Sequence, residues 1–260
     1  ILRVSPSMMT DELIHAFNID ATYLGFFSSC YYLSYAFALI PIGMMMDYFG
    51  PKLLFFSGSL LCGVSCIGFS ETSSPFIASL FRLLMGMGAS CGFLGTIKLG
   101  TLFLPAKDLG KVVAMAMILG TTGAILGGRP FEALINLEGW RNSMKYLGLS
   151  GIVLSLFMLF FIPTVQNNKV AATENGLLSG FSTVLKNKQV WLISIYGALM
   201  YVPLIVMGDL WGVSFLERFY SIREKEAATI IASMFIGIAI GSPLFAVLSD
   251  KLQKRKVLML

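Results

Sequence analysis

The side chains in this sequence that could do chemistry lie within or beside long apolar runs: Arg3, Tyr31, Tyr35, Arg82, Lys98, Arg129, Glu132 and Asp209. An ionisable group inside a membrane span costs about 2.5–3.5 kcal/mol on insertion scales, so each needs a compensating reason. Arg3 either faces an internal cavity and grips an anion or snorkels to the interface. Arg129 and Glu132, at i, i+3, share a helical face: either they pair internally, or Arg129 is a second anion-binding group. Asp209, between Gly208 and Leu210, is either a desolvated carboxylate that binds and releases a proton or an ionised group near an aqueous mouth. Tyr31 and Tyr35, at i, i+4, either line a polar path or pack as aromatics. Lys98 is expected to snorkel at the end of its run, and His15 to lie in water.

No enzyme can be assembled from these groups. The single histidine, the lack of an HExxH or Gly-x-Ser-x-Gly motif, and the lack of a phosphate-cradling Walker loop exclude the usual hydrolases and ATP-driven pumps. Cys62 and Cys66 share a face at i, i+4 with no neighbouring histidine or carboxylate, so they read as small packing residues and not a metal pair. No cofactor is implied.

The elements that must position these groups are set by composition. Charged residues are 13% of 260, about half the roughly 25% of soluble proteins, and 56% are hydrophobic. The mean hydropathy is +0.79. Lipid is the natural solvent for such a chain. The net charge of +5 is dispersed between apolar runs rather than gathered on one face, which argues against nucleic acid.

A span needs about 20 mostly apolar residues. Seven runs qualify: 22–46, 53–70, 76–100, 112–135, 143–162, 190–216 and 227–248. Residues 1–17 read as the outer half of an earlier helix and 257–260 as the start of a later one, so the chain reads as a fragment. Numbered from the first, these are helices 1 to 8 and the beginning of 9. Pro41, Pro203 and Pro243 fall within spans and should kink them. The polar stretch 163–189 reads as a linker. The expected organisation is a helical bundle over 1–162, a linker over 163–189, and the start of a second bundle over 190–260. Loop Lys and Arg residues number ten on the side of Lys52, Lys111 and Lys188 and five on the side of Arg141 and Arg223. The first side should be cytoplasmic, with the linker and both termini of the intact protein.

The chain also repeats. Gly43-Met-Met-Met-Asp47-Tyr-Phe-Gly50-Pro-Lys52 follows helix 2, and Ala246-Val-Leu-Ser-Asp250-Lys-Leu-Gln-Lys-Arg255 follows helix 8. Asp47 aligns with Asp250 and Lys52 with Arg255, six helices apart, as expected of two related halves.

On these residues the sequence resembles the major facilitator superfamily, whose helix 2–3 loop carries Gly-x-x-x-Asp-Arg-x-Gly-x-Arg/Lys. Gly43, Asp47, Gly50 and Lys52 match; Tyr48 replaces the usual Arg. Arg82-Leu-Leu-Met-Gly86-Met-Gly88, the glycines at 120, 123, 127 and 128, and Gly139-Trp140-Arg141 are similar to further family segments. Trp211-Gly212-Val213-Ser214-Phe215-Leu216 resembles a bacterial branch. The resemblance implies an all-α membrane fold of two six-helix bundles, here cut to about helices 1 (partial) to 8 and the start of 9. It also implies a monomeric carrier in the inner membrane, moving a small solute by alternating access. The loop around Asp47 would be a cytoplasmic latch, Gly43 would let helix backbones approach, and Arg82 would serve coupling. Three arginines in the first half tilt the expected solute towards a carboxylate or amino acid, moved with protons; Arg3, Tyr31, Tyr35 and Arg129 are the substrate candidates and Asp209, Glu132 and Arg82 the coupling candidates. A membrane sensor on the same fold is the alternative.

Overall fold

The computed structural model describes residues 1–105, 108–164 and 185–252, nearly all helical. A 3-10 turn, Ser5–Met8, leads into α1 (Thr10–Phe17), so residues 1–17 are not one continuous α-helix. Then come α2 (Ala21–Phe49), α3 (Pro51–Glu71), α4 (Pro75–Phe103), α5 (Leu109–Leu126) and α6 (Arg129–Phe161). After the linker, α7 (Lys188–Pro203) runs through a π-helical turn (Leu204–Trp211) into α8 (Gly212–Tyr220), and α9 spans Glu224–Leu252.

Local chemistry sets the boundaries. Asn18 takes the left-handed conformation after α1 (φ 51°), and the Asp20 carboxylate accepts from Tyr23 N at 2.8 Å to cap α2. Gly50 (φ 82°) turns α2 into α3, with Pro51 in the first turn.

Among the described residues, six stretches are long and apolar enough to cross a membrane, one fewer than the seven expected. The difference lies in Leu109–Phe161, whose 53 residues would run about 80 Å at 1.5 Å per residue, against a hydrocarbon core of about 30 Å. Gly139, at φ 79° and ψ 156°, divides that stretch much as Gly50 (φ 82°, ψ 161°) divides α2 from α3. A second break, at Gly127–Gly128, separates α5 from Arg129–Glu138.

Small residues hold the helices together, as expected where lipid removes the hydrophobic drive between spans. A Cβ on Gly63 of α3 would sit 2.7 Å from the Gly148 carbonyl of α6, and one on Gly58 would meet Cys91 and the Gly88 carbonyl of α4 at 2.7 Å. Gly86 of α4 lies against the Tyr31 carbonyl and Ser34 of α2. The glycines of the helix 4 segment are therefore contact points.

One core gathers Met9, Leu13, Phe17, Phe27, Phe69 and Trp140. A second forms the seam between early and late helices, with Val4 and Ala124 packed with Leu204, Val213, Ala228 and Ile231. Of the linker, residues 165–184 lie outside the described residues, as do Arg255 and the start of a ninth helix at 257–260. Asp250 lies on α9.

Candidate functional site

The 3-10 segment and the π-helical turn meet across the seam, and their polar side chains meet there. Asp209 is fully buried, at 0% exposure. Its Oδ2 lies 3.2 Å from Arg3 Nε and accepts from the Tyr32 hydroxyl at 3.2 Å. Arg3 Nη1 donates to the Tyr201 hydroxyl at 3.0 Å. Asp209 is therefore an interior, paired carboxylate and not a group at an outer mouth. Arg3 turns inward instead of snorkelling. Asp209 lies within the π-helical turn, and such turns concentrate at functional positions. Gly212 makes the turn possible, because any Cβ there would run into the Met207 carbonyl.

Arg82 completes the cluster from α4. It is 1% exposed. Its Nη1 donates to the Leu2 carbonyl at 2.8 Å, one residue before Arg3. Its guanidinium stands 4.9 Å from the Tyr31 ring centre and 5.6 Å from that of Phe27. Tyr31 and Tyr32 are neighbours on α2, so the arginine on one touches the same short segment as the carboxylate on the other. Tyr35 stacks on Tyr31 with ring centres 6.3 Å apart. Among the described residues, three buried polar atoms here have no hydrogen-bond partner: Arg82 Nε, Arg82 Nη2 and Asp209 Oδ1. Unsatisfied buried groups of this kind call for an explanation, and a ligand is one.

Arg129 and Glu132 are not brought into this cluster. Arg129, exposed at the first position of α6, donates to the Lys225 carbonyl in the first turn of α9 instead of pairing with Glu132. The i, i+3 spacing set them near one another, but the N-terminal turn leaves the arginine free to reach across to the later helices. Tyr32 and Tyr201 were missed as site residues. For Tyr32 the signal was its place beside Tyr31; Tyr201 carried none, because only the tertiary fold brings it to Arg3.

The motif loop lies at the other end of the helices. Asp47 Oδ1 pairs with Lys98 Nζ at 2.6 Å, so Lys98 is an ion-pair partner and does not merely snorkel. Lys52 Nζ donates to Thr164 Oγ1 at 3.3 Å, tying the loop to the end of α6. Tyr48, in the place of the usual arginine, is exposed and meets Phe49 edge-on. Gly50 fulfils its expected turn. Gly43 does not fulfil its expected close approach, since a Cβ there would meet nothing within 4 Å. At the opposite end, Arg141 Nη1 donates to the Ser70 and Thr72 carbonyls at 2.6 and 2.9 Å, closing the end of α3, and stacks on Trp140.

The cysteines are free: Cys62 donates to the Met85 carbonyl at 3.4 Å and Cys66 is buried. An apolar cavity of about 430 Å³ between α3, α4 and α6 includes Cys62, Gly92 and Leu154. It holds none of the charged groups above.

A helical protein that crosses the membrane several times, with a buried ionic cluster at the seam of its early and late helices, is thus defined. The chain belongs to the Major Facilitator Superfamily, which it matches over residues 3–260. It is 24% identical to a probable sulfoacetate transporter of Cupriavidus necator over 97% of this chain and 62% of the relative. It is 23% identical to a quinolone resistance transporter of Acinetobacter baumannii over 91% and 59%, and 25% identical to a phosphoglycerate transporter protein of Salmonella typhimurium over 98% and 60%. The chain therefore spans about three-fifths of the length of these relatives.

Proposed function

We propose that the intact protein is a secondary transporter of a small organic anion, working by alternating access in the inner membrane with the Asp47 loop on the cytoplasmic side. The observation that carries this reading is the buried meeting of Arg3, Arg82 and Asp209 where early and late helices touch. A carrier needs a site whose ligand is held by both halves, near the middle of the bilayer. Arg3 and Arg82 supply donors for an oxyanion, and Asp209 belongs to the opposite half. Guanidinium groups suit carboxylates because their paired N–H donors match two oxygens at once. Two of the three relatives above are named for small organic anions, which agrees with this chemistry.

In this reading Arg3 and Arg82 hold the anion, Tyr31 and Tyr35 line the approach, and Asp209 takes up a proton when Arg3 leaves it. Residues 1–162 form one rocking unit and those from 190 onward the other. Asp47, Lys98 and Lys52 form the cytoplasmic latch. Arg129 serves the outer contact between halves, and coupling rests on Asp209 more than on Glu132.

The test is uptake of labelled carboxylates by the full-length protein in proteoliposomes with an imposed proton gradient. Arg3→Ala should abolish accumulation while Arg129→Ala leaves most of it. Uptake indifferent to Arg3→Ala would overturn the assignment.

A further inference from the structure

Two rings on one face of α2 hold the Arg82 guanidinium: Tyr31 at 4.9 Å and Phe27, one turn earlier, at 5.6 Å. Phe27 is itself backed by further rings. Phe69, fully buried on α3, stands 5.5 Å from Phe27, and Trp140 of α6 stands 5.7 Å from Phe69. Phe17 of α1 closes the group, 6.2 Å from Phe69 and 5.9 Å from Trp140. These are the separations of rings in contact. A continuous aromatic column therefore runs from α6 through α3 and α2 to the arginine on α4.

The far end of the column is anchored by one turn. Gly139, at φ 79°, takes a conformation that side-chain-bearing residues rarely adopt, and Trp140 follows it at once. Arg141 then stacks on Trp140 at 4.4 Å and donates to the Ser70 and Thr72 carbonyls. Ser70 directly follows Phe69, so the turn holds Phe69 both by its ring and by its backbone.

We infer that Trp140 is a positioning residue for Arg82: through Phe69 and Phe27 it sets the plane in which the guanidinium presents its donors to an anion. The inference rests on the anion-carrier reading, in which Arg82 holds the ligand, and adds to it a residue two rings away. A guanidinium is a planar fork, and its paired donors match a carboxylate only when that plane is fixed. Phe27 and Tyr31 fix it here, with the Leu2 carbonyl at Nη1. Loosening the column at Trp140 leaves Arg82 charged and in place but lets its plane wander.

The test measures equilibrium binding of succinate, gluconate and glucarate to the purified full-length protein at pH 7.5. Trp140→Leu should weaken binding by on the order of fivefold, within the range that remote packing changes transmit. Trp140→Phe, which restores a ring, should bind as the wild type does. Links in series fail only once, so Phe27→Leu/Trp140→Leu should bind no more weakly than Phe27→Leu alone. Arg82→Lys should also weaken binding, and adding Trp140→Leu should then change little, because an ammonium has no plane to orient. Where Trp140→Leu does not fold, Phe69→Leu cuts the column at its next ring and carries the same comparisons. A residue that merely supports the fold would give losses that multiply in both double variants. That result, or a Trp140→Leu protein that binds as well as the wild type, would overturn the inference and leave the anion reading intact. If none of the three anions binds the wild-type protein, the anion reading and the inference fall together.

Discussion

Arg3 Nε lies 3.2 Å from Asp209 Oδ2 although 206 residues separate them in the chain. The contact joins the short segment ahead of α1 to the π-helical turn that follows α7. Around it, Tyr201 holds the arginine, Tyr32 holds the carboxylate, and Arg82 reaches the backbone one residue away. A long-range pair of this kind has two consequences: it ties the first residues to the later helices, and it makes each partner costly to keep without the other.

Removing one partner should therefore hurt more than removing both. Asp209→Ala leaves Arg3 facing an apolar seam and should cost about 3 kcal/mol, the lower end for a broken buried pair because Arg3 retains some solvent contact. Arg3→Gln/Asp209→Asn should cost less than half of that. Thermal denaturation of the full-length protein in detergent measures both. Equal losses would mean that the two residues are not coupled.

The two tyrosines on α2 should separate by chemistry. Tyr32→Phe deletes the hydroxyl that donates to Asp209, so it should weaken stability by about 1 kcal/mol, the usual worth of one buried hydrogen bond. Tyr31→Phe keeps the aromatic face beneath Arg82 and should change stability by less than that. A larger effect from Tyr31→Phe would show that its hydroxyl, and not its ring, is what matters to the cluster.

Sequence reasoning reached the membrane class, most helix boundaries to within a few residues, and the turn at Gly50, because apolar run length and positive-φ glycine are local properties; the 112–135 run was carried past the break at Gly127–Gly128, which interrupts no apolar pattern. It also singled out Arg3, Arg82 and Asp209, because a charge in an apolar run stands out whatever surrounds it. Their meeting was not legible: it brings together residues from the start of the chain, from α4 and from the π-helical turn, contacts made by the tertiary fold that leave no trace in local sequence. Arg129 and Glu132 misled for the opposite reason. Their spacing was real, but the first turn of α6 offers its arginine a carbonyl on another helix. Gly43 fitted its motif, but among the described residues a Cβ there would meet nothing within 4 Å.

That difference among glycines is testable. Gly43→Ala should change the melting temperature little, because nothing lies within 4 Å of the new methyl and alanine favours the helix by about 1 kcal/mol. Gly58→Ala and Gly63→Ala should each cost several times more than any such gain. Their methyls would press on backbone carbonyls of α4 and α6, which cannot rotate away. Similar melting temperatures for all three variants would contradict the close packing of α3.

The pair at the motif loop should behave unlike the pair at the seam. Lys98 and Asp47 are 2.6 Å apart but 32% and 55% exposed, so water screens them and their mutual worth should fall within about 1 kcal/mol. Asp47→Asn should then leave thermal stability nearly unchanged. If the proposed alternating-access reading holds, its effect belongs to the balance between access states, where even 1 kcal/mol is about a fivefold shift in population. Exchange of bound for free solute across proteoliposomes should therefore change several-fold in Asp47→Asn and in Lys98→Gln. The charge-swapped double variant Asp47→Lys/Lys98→Asp should move back towards wild type, and raising salt to about 1 M, where the screening length is about 3 Å, should shrink the difference between wild type and the single variants. If exchange is unaffected in the single variants, the contact is a surface ion pair and the latch must lie elsewhere in the loop, with Lys52 and its bond to Thr164 the next residue to change.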